Sequence, residues 1–213
     1  MVIYMIAYRF ITSLAHWEAA KCITQYLLHM KEYGITYTKE GKGVEGYGHN
    51  LAGFTDADIA GDTNDRKSTT GWIFTYNDVA ISWASKKQGL VTQSTMESEL
   101  VAGSFATAEG IWLICLGRDF WQNFLPVLIF TDNQSFIAFS TNEVNNNRMK
   151  HINTHYHYMR DQITVGNIKL HYVPSQLNHT DILTKPLSPR KHPHSGFARN
   201  SAGLKGHVIT VIF

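Results

Sequence analysis

The sequence has 213 residues, of which 44% are hydrophobic and only 17% are charged. This composition excludes an intrinsically disordered chain and is sufficient for one well-filled globular domain with an appendage. The net charge of +2 is unevenly spread, because five Lys or Arg and no acid follow residue 181, and such a basic segment is compatible with a polyanionic partner.

The cysteines and the start of the chain indicate the cellular compartment in which we expect the protein. Cys22 and Cys115 are far apart and form no CxxC pair, which argues against a disulfide framework or a cysteine-based zinc site. Residues 1–8 are apolar, but no basic residue precedes them and Arg9 interrupts them, unlike a signal peptide. No stretch reaches the roughly 18 uninterrupted apolar residues of a membrane span. We therefore expect an intracellular protein, cytoplasmic or nuclear, that is not secreted and has no membrane partner.

The first predicted element is a helix over residues 11–33. Trp17, Ala20 and Leu27 recur on one helical face, and Gly34 follows as a stop. Glycines are then frequent up to residue 48, which indicates a loose connection.

Three regions follow from these patterns. Residues 1–42 are interpreted as a separate helical segment, and residues 43–187 as the main domain. Residues 188–213 are turn-rich, lose periodicity and end in a short apolar run, so we interpret them as a divergent tail.

The main domain begins with short β-rich runs and then alternates helices with strands. Asn77-Asp78 between the second and third runs is typical of a tight hairpin turn. The expected strands are residues 51–55, 70–76, 79–85, 127–132 and 168–174, and the expected helices are residues 95–117, 133–141, 148–164 and 176–187. This order predicts an α/β fold in which three antiparallel strands are followed by helices alternating with two further strands.

Four carboxylates occur where this order would bring them to one edge of the sheet. Asp56 and Asp132 lie at the ends of apolar strands, whereas Glu97 and Asp181 lie at the starts of helices. Four acids in one place repel one another, which raises their pKa values, unless divalent cations are present. Oxygen ligands suit Mg²⁺, with Mn²⁺ as a substitute, and two such ions can hydrolyse a phosphodiester. Each acid alone would be interpreted as a turn residue or a cap.

Several sequence runs resemble the ribonuclease H domain of copia-type LTR-retrotransposon Pol polyproteins. The runs are Gly53-Phe54-Thr55-Asp56-Ala57-Asp58, Ser94-Thr95-Met96-Glu97-Ser98-Glu99, Thr131-Asp132-Asn133-Gln134-Ser135 and Thr180-Asp181-Ile182-Leu183-Thr184-Lys185-Pro186-Leu187. Upstream, residues 16–21 resemble the end of the reverse transcriptase of the same polyprotein. The resemblance covers residues 14–187.

The resemblance implies a ribonuclease H-like fold, with a five-stranded mixed sheet flanked by helices. It also implies cleavage of the RNA strand of RNA/DNA hybrids by a two-metal mechanism, with the reverse-transcriptase portion as a partner. The implied catalytic metal ligands are Asp56, Glu97, Asp132 and Asp181. We reject Asp58, expected two places beyond a strand end, and Glu99, expected to point about 200° around the helix from Glu97.

Weaker candidates surround these acids. Arg66, Lys67, Lys86 and Lys87 are candidate contacts to hybrid phosphates, although solvated loop cations have the same pattern. His179 is a candidate for proton transfer, with a plain loop histidine as the alternative. A zinc site at His151 and His155 has neither an HExxH motif nor a cysteine partner.

Two other functions remain open. The first is a catalytically inactive retrotransposon remnant that binds nucleic acid weakly, favoured by Cys22 and Gln25 in place of basic residues in the upstream helix and by the divergent tail. The second is a nuclease of the same fold that acts on DNA, such as an integrase. The order Asp, Glu, Asp, Asp opposes the second, because integrases carry their Glu last.

Overall fold

The computed structural model describes residues 14–29, 35, 37, 50–61, 65–120, 122–141 and 153–185. Within the described residues, the first element is helix α1 (Leu14–His29), which agrees with the helix predicted there. Its apolar side chains Leu14, Trp17 and Leu28 are exposed. The expected boundary after residue 42 and the tail 188–213 lie outside the described residues.

A five-stranded mixed sheet forms the centre of the domain. Its strands are β1 (Leu51–Asp58), β2 (Thr69–Tyr76), β3 (Val79–Lys87), β4 (Val127–Thr131) and β5 (Ile168–Tyr172). Their spatial order is β3-β2-β1-β4-β5. The pairs β1–β2 and β2–β3 are antiparallel, whereas β4 is parallel to both β1 and β5.

The three antiparallel strands form by local pairing. Asn77 and Asp78 connect β2 to β3 with φ angles of 51° and 63°, the left-handed conformation that a two-residue hairpin turn requires at both positions. The predicted hairpin is therefore confirmed. β1 is longer than expected, because it continues through Asp56 to Asp58 opposite β2.

In the part of the chain that the structure describes, four α-helices follow the hairpins. They are α2 (Thr95–Asp119), α3 (Gln134–Thr141), α4 (Asn153–Thr164) and the single turn α5 (Asp181–Thr184). By length and composition α2 could cross a membrane, but 61% of its most apolar window is buried. Packing in the core therefore accounts for its apolar composition.

The core has a layer on each face of the sheet. On one face, Phe74, Val127 and Ile129 pack with Leu113 of α2. Next to this layer, side chains of α2, α3 and α4 form a second cluster that includes Leu100, Phe136 and Met159. Each fully buried large apolar side chain contributes about 1.5–3 kcal/mol of burial free energy.

The opposite face carries α5. Ile73 alternates with Phe74 along β2 and therefore points to the other side, where it packs with Ala80 and Leu183. The sheet with helices on both faces confirms the predicted fold class.

The prediction of a last helix over residues 176–187 is wrong for the first part of that range. A short 3-10 turn (Ser175–Leu177) comes first, and α5 starts only at Asp181. The reason is Asn178, a buried residue whose side-chain oxygen accepts hydrogen bonds from the backbone and hydroxyl of Thr180. These local bonds compete with helical ones and interrupt the helix.

Candidate active site

Two of the predicted acids are brought side by side by strand pairing. Phe54 of β1 lies opposite Phe130 of the parallel strand β4, and Asp56 and Asp132 each follow two residues later. Asp56 is buried within β1, with 1% of its surface exposed, whereas Asp132 follows the end of β4. Parallel pairing therefore carries both carboxylates to the same edge of the sheet.

The third acid at this edge is Glu99 of α2. One carboxylate oxygen from each of Asp56, Glu99 and Asp132 lies within 4.8 Å of the other two. Glu99 is 3% exposed, so it points into the protein at the position that we had expected to face away. The rejection of Glu99 from sequence is corrected by this geometry.

Glu97 occupies a different place. The hydroxyl of Ser94, the N-cap of α2, accepts a hydrogen bond from the backbone of Glu97 at 3.2 Å. In return, the Glu97 carboxylate accepts a hydrogen bond from the backbone N–H of Gln93 at 2.7 Å. This arrangement resembles a capping box, except that the carboxylate bonds to the residue before the N-cap rather than to the N-cap itself. Among the described residues, the three-acid cluster does not include Glu97.

The electrostatics of the cluster favour a cation. Burial, followed by the charges of Asp56 and Asp132, raises the pKa of Glu99 well above its ordinary value. Burial also raises the pKa of Asp56. Within the described part of the chain, Oε2 of Glu99 is buried without a hydrogen-bond partner. A buried carboxylate oxygen without a donor beside two other acids fits a hard divalent cation.

The fourth predicted acid, Asp181, is linked to Asp56 of the cluster by the side chain of Lys185. Nζ of Lys185 lies 2.6 Å from Oδ1 of Asp181 and 3.1 Å from Oδ2 of Asp56. Burial alone would lower the pKa of Lys185, but the hydrogen bond that its ammonium group donates to Asp181 and the charge of Asp56 outweigh burial and raise the pKa. The structure therefore joins Asp181 to Asp56 by an ion pair, and the carboxylate of Asp181 lies outside the three-acid cluster.

Neighbouring residues hold α5 against β1. The hydroxyl of Thr184 donates a hydrogen bond to Oδ2 of Asp56, and Nδ2 of Asn178 donates to the carbonyl of Thr55 at 3.1 Å. Gly71, opposite Asp56 in the ladder, leaves room for Thr184, because a Cβ there would lie 2.6 Å from the Thr184 methyl carbon.

The acids open into a cleft of about 520 Å³. Asp132 is held at its rim by Ser175, whose hydroxyl donates to Oδ2 at 2.6 Å. Other lining residues present polar or aromatic groups and include Thr95, Asn133, Gln134, Ser135 and Tyr172. The cleft is an open groove, and the three carboxylates of the cluster are among its lining residues.

The four basic candidates lie elsewhere, and none is among the described residues that line the cleft. Lys87 and Lys67 lie 2.9 Å and 4.0 Å from Oδ2 of Asp65. Lys86 lies over the Phe105 ring, 5.5 Å from its centroid, and Arg66 takes a left-handed conformation with φ 58°. Their contact with nucleic acid stays a prediction.

His179 does not line the cleft either. Its ring packs edge-on against Phe54, with 4.4 Å between centroids, and burial lowers its pKa. This packing gives no support to the proton-transfer role and favours a structural one. His155, the zinc candidate, instead shares a hydrogen bond with Ser104 at 2.9 Å.

Glu99, Thr184 and Lys185 are the residues that the sequence argument missed. A signal for Glu99 was present, since Ser94-Thr95-Met96-Glu97 has the S-x-x-E spacing of a capping box. That spacing commits Glu97 to the helix start and leaves Glu99 for the cluster. Lys185 has the i, i+4 spacing of an ion pair with Asp181, but its contact with Asp56 depends on the tertiary fold.

Comparison with known proteins agrees with the sequence resemblance. No family model matches the chain. The chain is 36% identical over 176 residues to the retrovirus-related Pol polyprotein from transposon TNT 1-94 of Nicotiana tabacum. This alignment covers 83% of the chain and 13% of the polyprotein. The chain is also 36% identical over 174 residues to that from transposon RE2 of Arabidopsis thaliana, covering 81% of this chain and 12% of the polyprotein.

The chain thus spans about an eighth of the length of these curated relatives. Among solved structures it is similar to RNase H1 from Halobacterium salinarum NRC-1, with a TM-score of 0.45, 16% identity, and coverage of 63% of this chain and 93% of that one. Over most of its length, this chain is a homologue of one segment of the Pol polyproteins of copia-type retrotransposons.

Proposed function

We propose that this chain cleaves the RNA strand of RNA/DNA hybrids, with Mg²⁺ held by Asp56, Glu99 and Asp132. The observation that carries the proposal is the three-acid cluster lining an open cleft, with a buried oxygen of Glu99 that has no donor among the described residues. The relationship to transposon Pol polyproteins supports the substrate, since such elements copy RNA into DNA. Asp181 is proposed as a further ligand for a second ion.

The donor set of the cluster supports the proposed metal. Three carboxylates and no described sulfur or imidazole in the cluster match the oxygen ligands that Mg²⁺ and Mn²⁺ prefer. When bound, a pair of such ions activates a water and stabilises the leaving oxygen of a phosphodiester.

The protein's own residues supply position. Asp56 is fixed by its place within β1 and by Thr184, Asp132 by Ser175, and Glu99 by burial on α2. Rigid support of this kind holds ligands in place without rearrangement on substrate binding.

The cleft suits recognition by shape. Tyr172 is 49% exposed at its wall, and Gln134 and Ser135 stand at the start of α3 beside Asp132. Polar and aromatic groups of this kind contact sugars, bases and phosphates of a hybrid without strong sequence preference. We therefore propose a substrate defined by its hybrid helix rather than by its sequence.

The test is cleavage of an end-labelled RNA/DNA hybrid by the full chain in Mg²⁺ and in Mn²⁺, beside single-stranded RNA and duplex DNA. We expect cleavage of the hybrid's RNA alone. Asp132→Asn and Glu99→Gln should reduce it by about a hundredfold or more, because each removes a charged ligand. Glu97→Gln is the matched control, since it makes the same chemical change two residues from Glu99.

Two outcomes would overturn the proposal. Loss of activity in Glu97→Gln with activity retained in Glu99→Gln would refute the assignment of the ligands. A chain that is folded by circular dichroism but neither cleaves the hybrid nor gains thermal stability from millimolar Mg²⁺ would be an inactive remnant.

A further inference from the structure

The ammonium group of Lys185 lies in the space between two of the site's carboxylates. Its Nζ contacts Oδ1 of Asp181 at 2.6 Å and Oδ2 of Asp56 at 3.1 Å. Asp56 also contributes an oxygen to the cluster with Glu99 and Asp132. Asp56 is therefore shared between the three-acid cluster and the two-acid pair that Lys185 bridges.

From this geometry we propose that Lys185 is a built-in cation that competes with the second metal ion for Asp56 and Asp181. The inference rests on the proposed metal-dependent function, and it adds an order of binding. The first ion enters among Asp56, Glu99 and Asp132, whereas the second enters only after the Lys185 side chain has moved away.

The two parts of the site differ in how well their oxygens are satisfied. Oε2 of Glu99 is buried and lacks a hydrogen-bond partner within the described residues. A cation that enters the three-acid cluster can therefore bind this oxygen without displacing a donor. Asp181, by contrast, accepts a hydrogen bond from Lys185, and Oδ2 of Asp56 accepts from Thr184 as well. A metal ion entering here must displace existing donors, which weakens its net binding.

Lys185 can leave without a change in the fold. Its backbone is fixed, because its N–H donates to the carbonyl of Asp181 at 3.0 Å at the end of α5. Its side chain is 37% exposed, so the flexible four-carbon stem can swing into solvent. Movement of one side chain is sufficient to open the pair of carboxylates.

Charge accounts for why such a cation is useful before metal binds. Four carboxylates at one edge repel one another, and a positive group between two of them reduces this repulsion. The same positive charge opposes a divalent ion a few ångströms away. Lys185 therefore stabilises the metal-free site and raises the metal concentration needed to fill its second half.

The experiment measures Mn²⁺ binding to the full metal-free chain by isothermal titration calorimetry, without nucleic acid. Wild type should take up one ion per chain in the first part of the titration, with a second ion at much higher concentration. Lys185→Met should bind the second ion at least about tenfold more tightly, because a like charge has been removed from close range.

Four further variants keep the result interpretable. Lys185→Arg should behave as wild type because it keeps the positive charge, and Asp181→Asn should lose the second ion whether or not Lys185 is present. Lys21→Met is the matched control, because it removes another lysine ion pair, 2.6 Å from Glu18 on α1, and should leave both ions unchanged. Lys185→Gln provides a second neutral variant if Lys185→Met does not fold by circular dichroism.

The outcomes separate this inference from the proposed function. Equal affinity for the second ion in wild type and in both neutral variants would overturn the role of Lys185 while leaving the first site intact. Absence of any Mn²⁺ binding to folded wild type and to folded Lys185 variants would overturn the metal site itself, and with it the inference.

Discussion

A methyl group added at Gly71 should destabilise the fold at the point where α5 packs on the sheet. The Cβ of Gly71→Ala would lie 2.6 Å from the methyl carbon of Thr184 and 3.1 Å from Cβ of Leu183. Ordinary carbon contacts are about 3.5–4.0 Å, so the Thr184 methyl would have to move by roughly 1 Å. Thr184 also donates to Asp56, so this movement would disturb the site.

The magnitude follows from two opposing terms. Overpacking of this kind costs about 1–3 kcal/mol, while replacing glycine in a strand returns up to about 1 kcal/mol through the unfolded chain. We expect a net loss of about 1–2 kcal/mol in the free energy of unfolding. For a chain of this size that corresponds to a fall in Tm of roughly 2–8 °C.

The assay is urea and thermal unfolding of Gly71→Ala beside Gly89→Ala. A Cβ at Gly89 would have no heavy atom within 4 Å, so this control should stay within about 0.5 kcal/mol of wild type. Gly71→Ala should also show a smaller rise in Tm on addition of Mg²⁺. Equal stability of the two variants would refute the packing of α5 on β2 and the reasoning built on it.

Three further variants probe the neighbourhood of the cluster. Glu97→Ala should lose about 1 kcal/mol of stability with its cap but keep the Mg²⁺-dependent rise in Tm, and loss of that rise in calorimetry would contradict the capping role. Burial beside two carboxylates raises the pKa of Glu99, so the folded chain binds its proton more tightly than the unfolded chain does. The metal-free protein should therefore lose stability as the pH rises through this raised pKa. Urea titrations at several pH values should show a smaller loss for Glu99→Gln than for wild type. Identical pH profiles of the two proteins would refute the raised pKa of Glu99. Asn178→Ala removes the hydrogen bond to the carbonyl of Thr55 and should lower the free energy of unfolding by about 1–3 kcal/mol. Stability equal to wild type in urea would count against a stabilising role for this hydrogen bond.

The sheet was predictable from sequence because its signals are local. Apolar runs alternate with turn residues, and Asn77-Asp78 has the residue types that tolerate the left-handed conformation of a two-residue turn. The parallel pairing of β1 with β4 joins strands far apart in the chain, and a mixed sheet was expected only from the family resemblance. The end of β1 was missed because Asp56 and Asp58 are poor strand formers, and only pairing with β2 keeps them extended.

The start of α5 could not be predicted from its own residues. Asn178 donates to the carbonyl of Thr55, 123 residues earlier in the chain. This contact exists only after β1 has formed. It holds the chain in a loop where the sequence pattern alone predicts a helix. Tertiary contacts of this kind override local propensity.

Glu97 and Glu99 show why the choice between two acids required the surroundings of both. Each is buried near the start of α2, and helical spacing separates their directions without saying which one faces the sheet. The carboxylate of Glu97 is satisfied by a backbone N–H, so burial there costs little and requires no further partner. The carboxylate of Glu99 has a buried oxygen without a donor in the described structure and lies beside two like charges. Such an arrangement destabilises a fold unless something positive compensates for it. Lys185 reaches Asp56 and Asp181, so under the proposed function a bound metal ion would supply the positive charge beside Glu99.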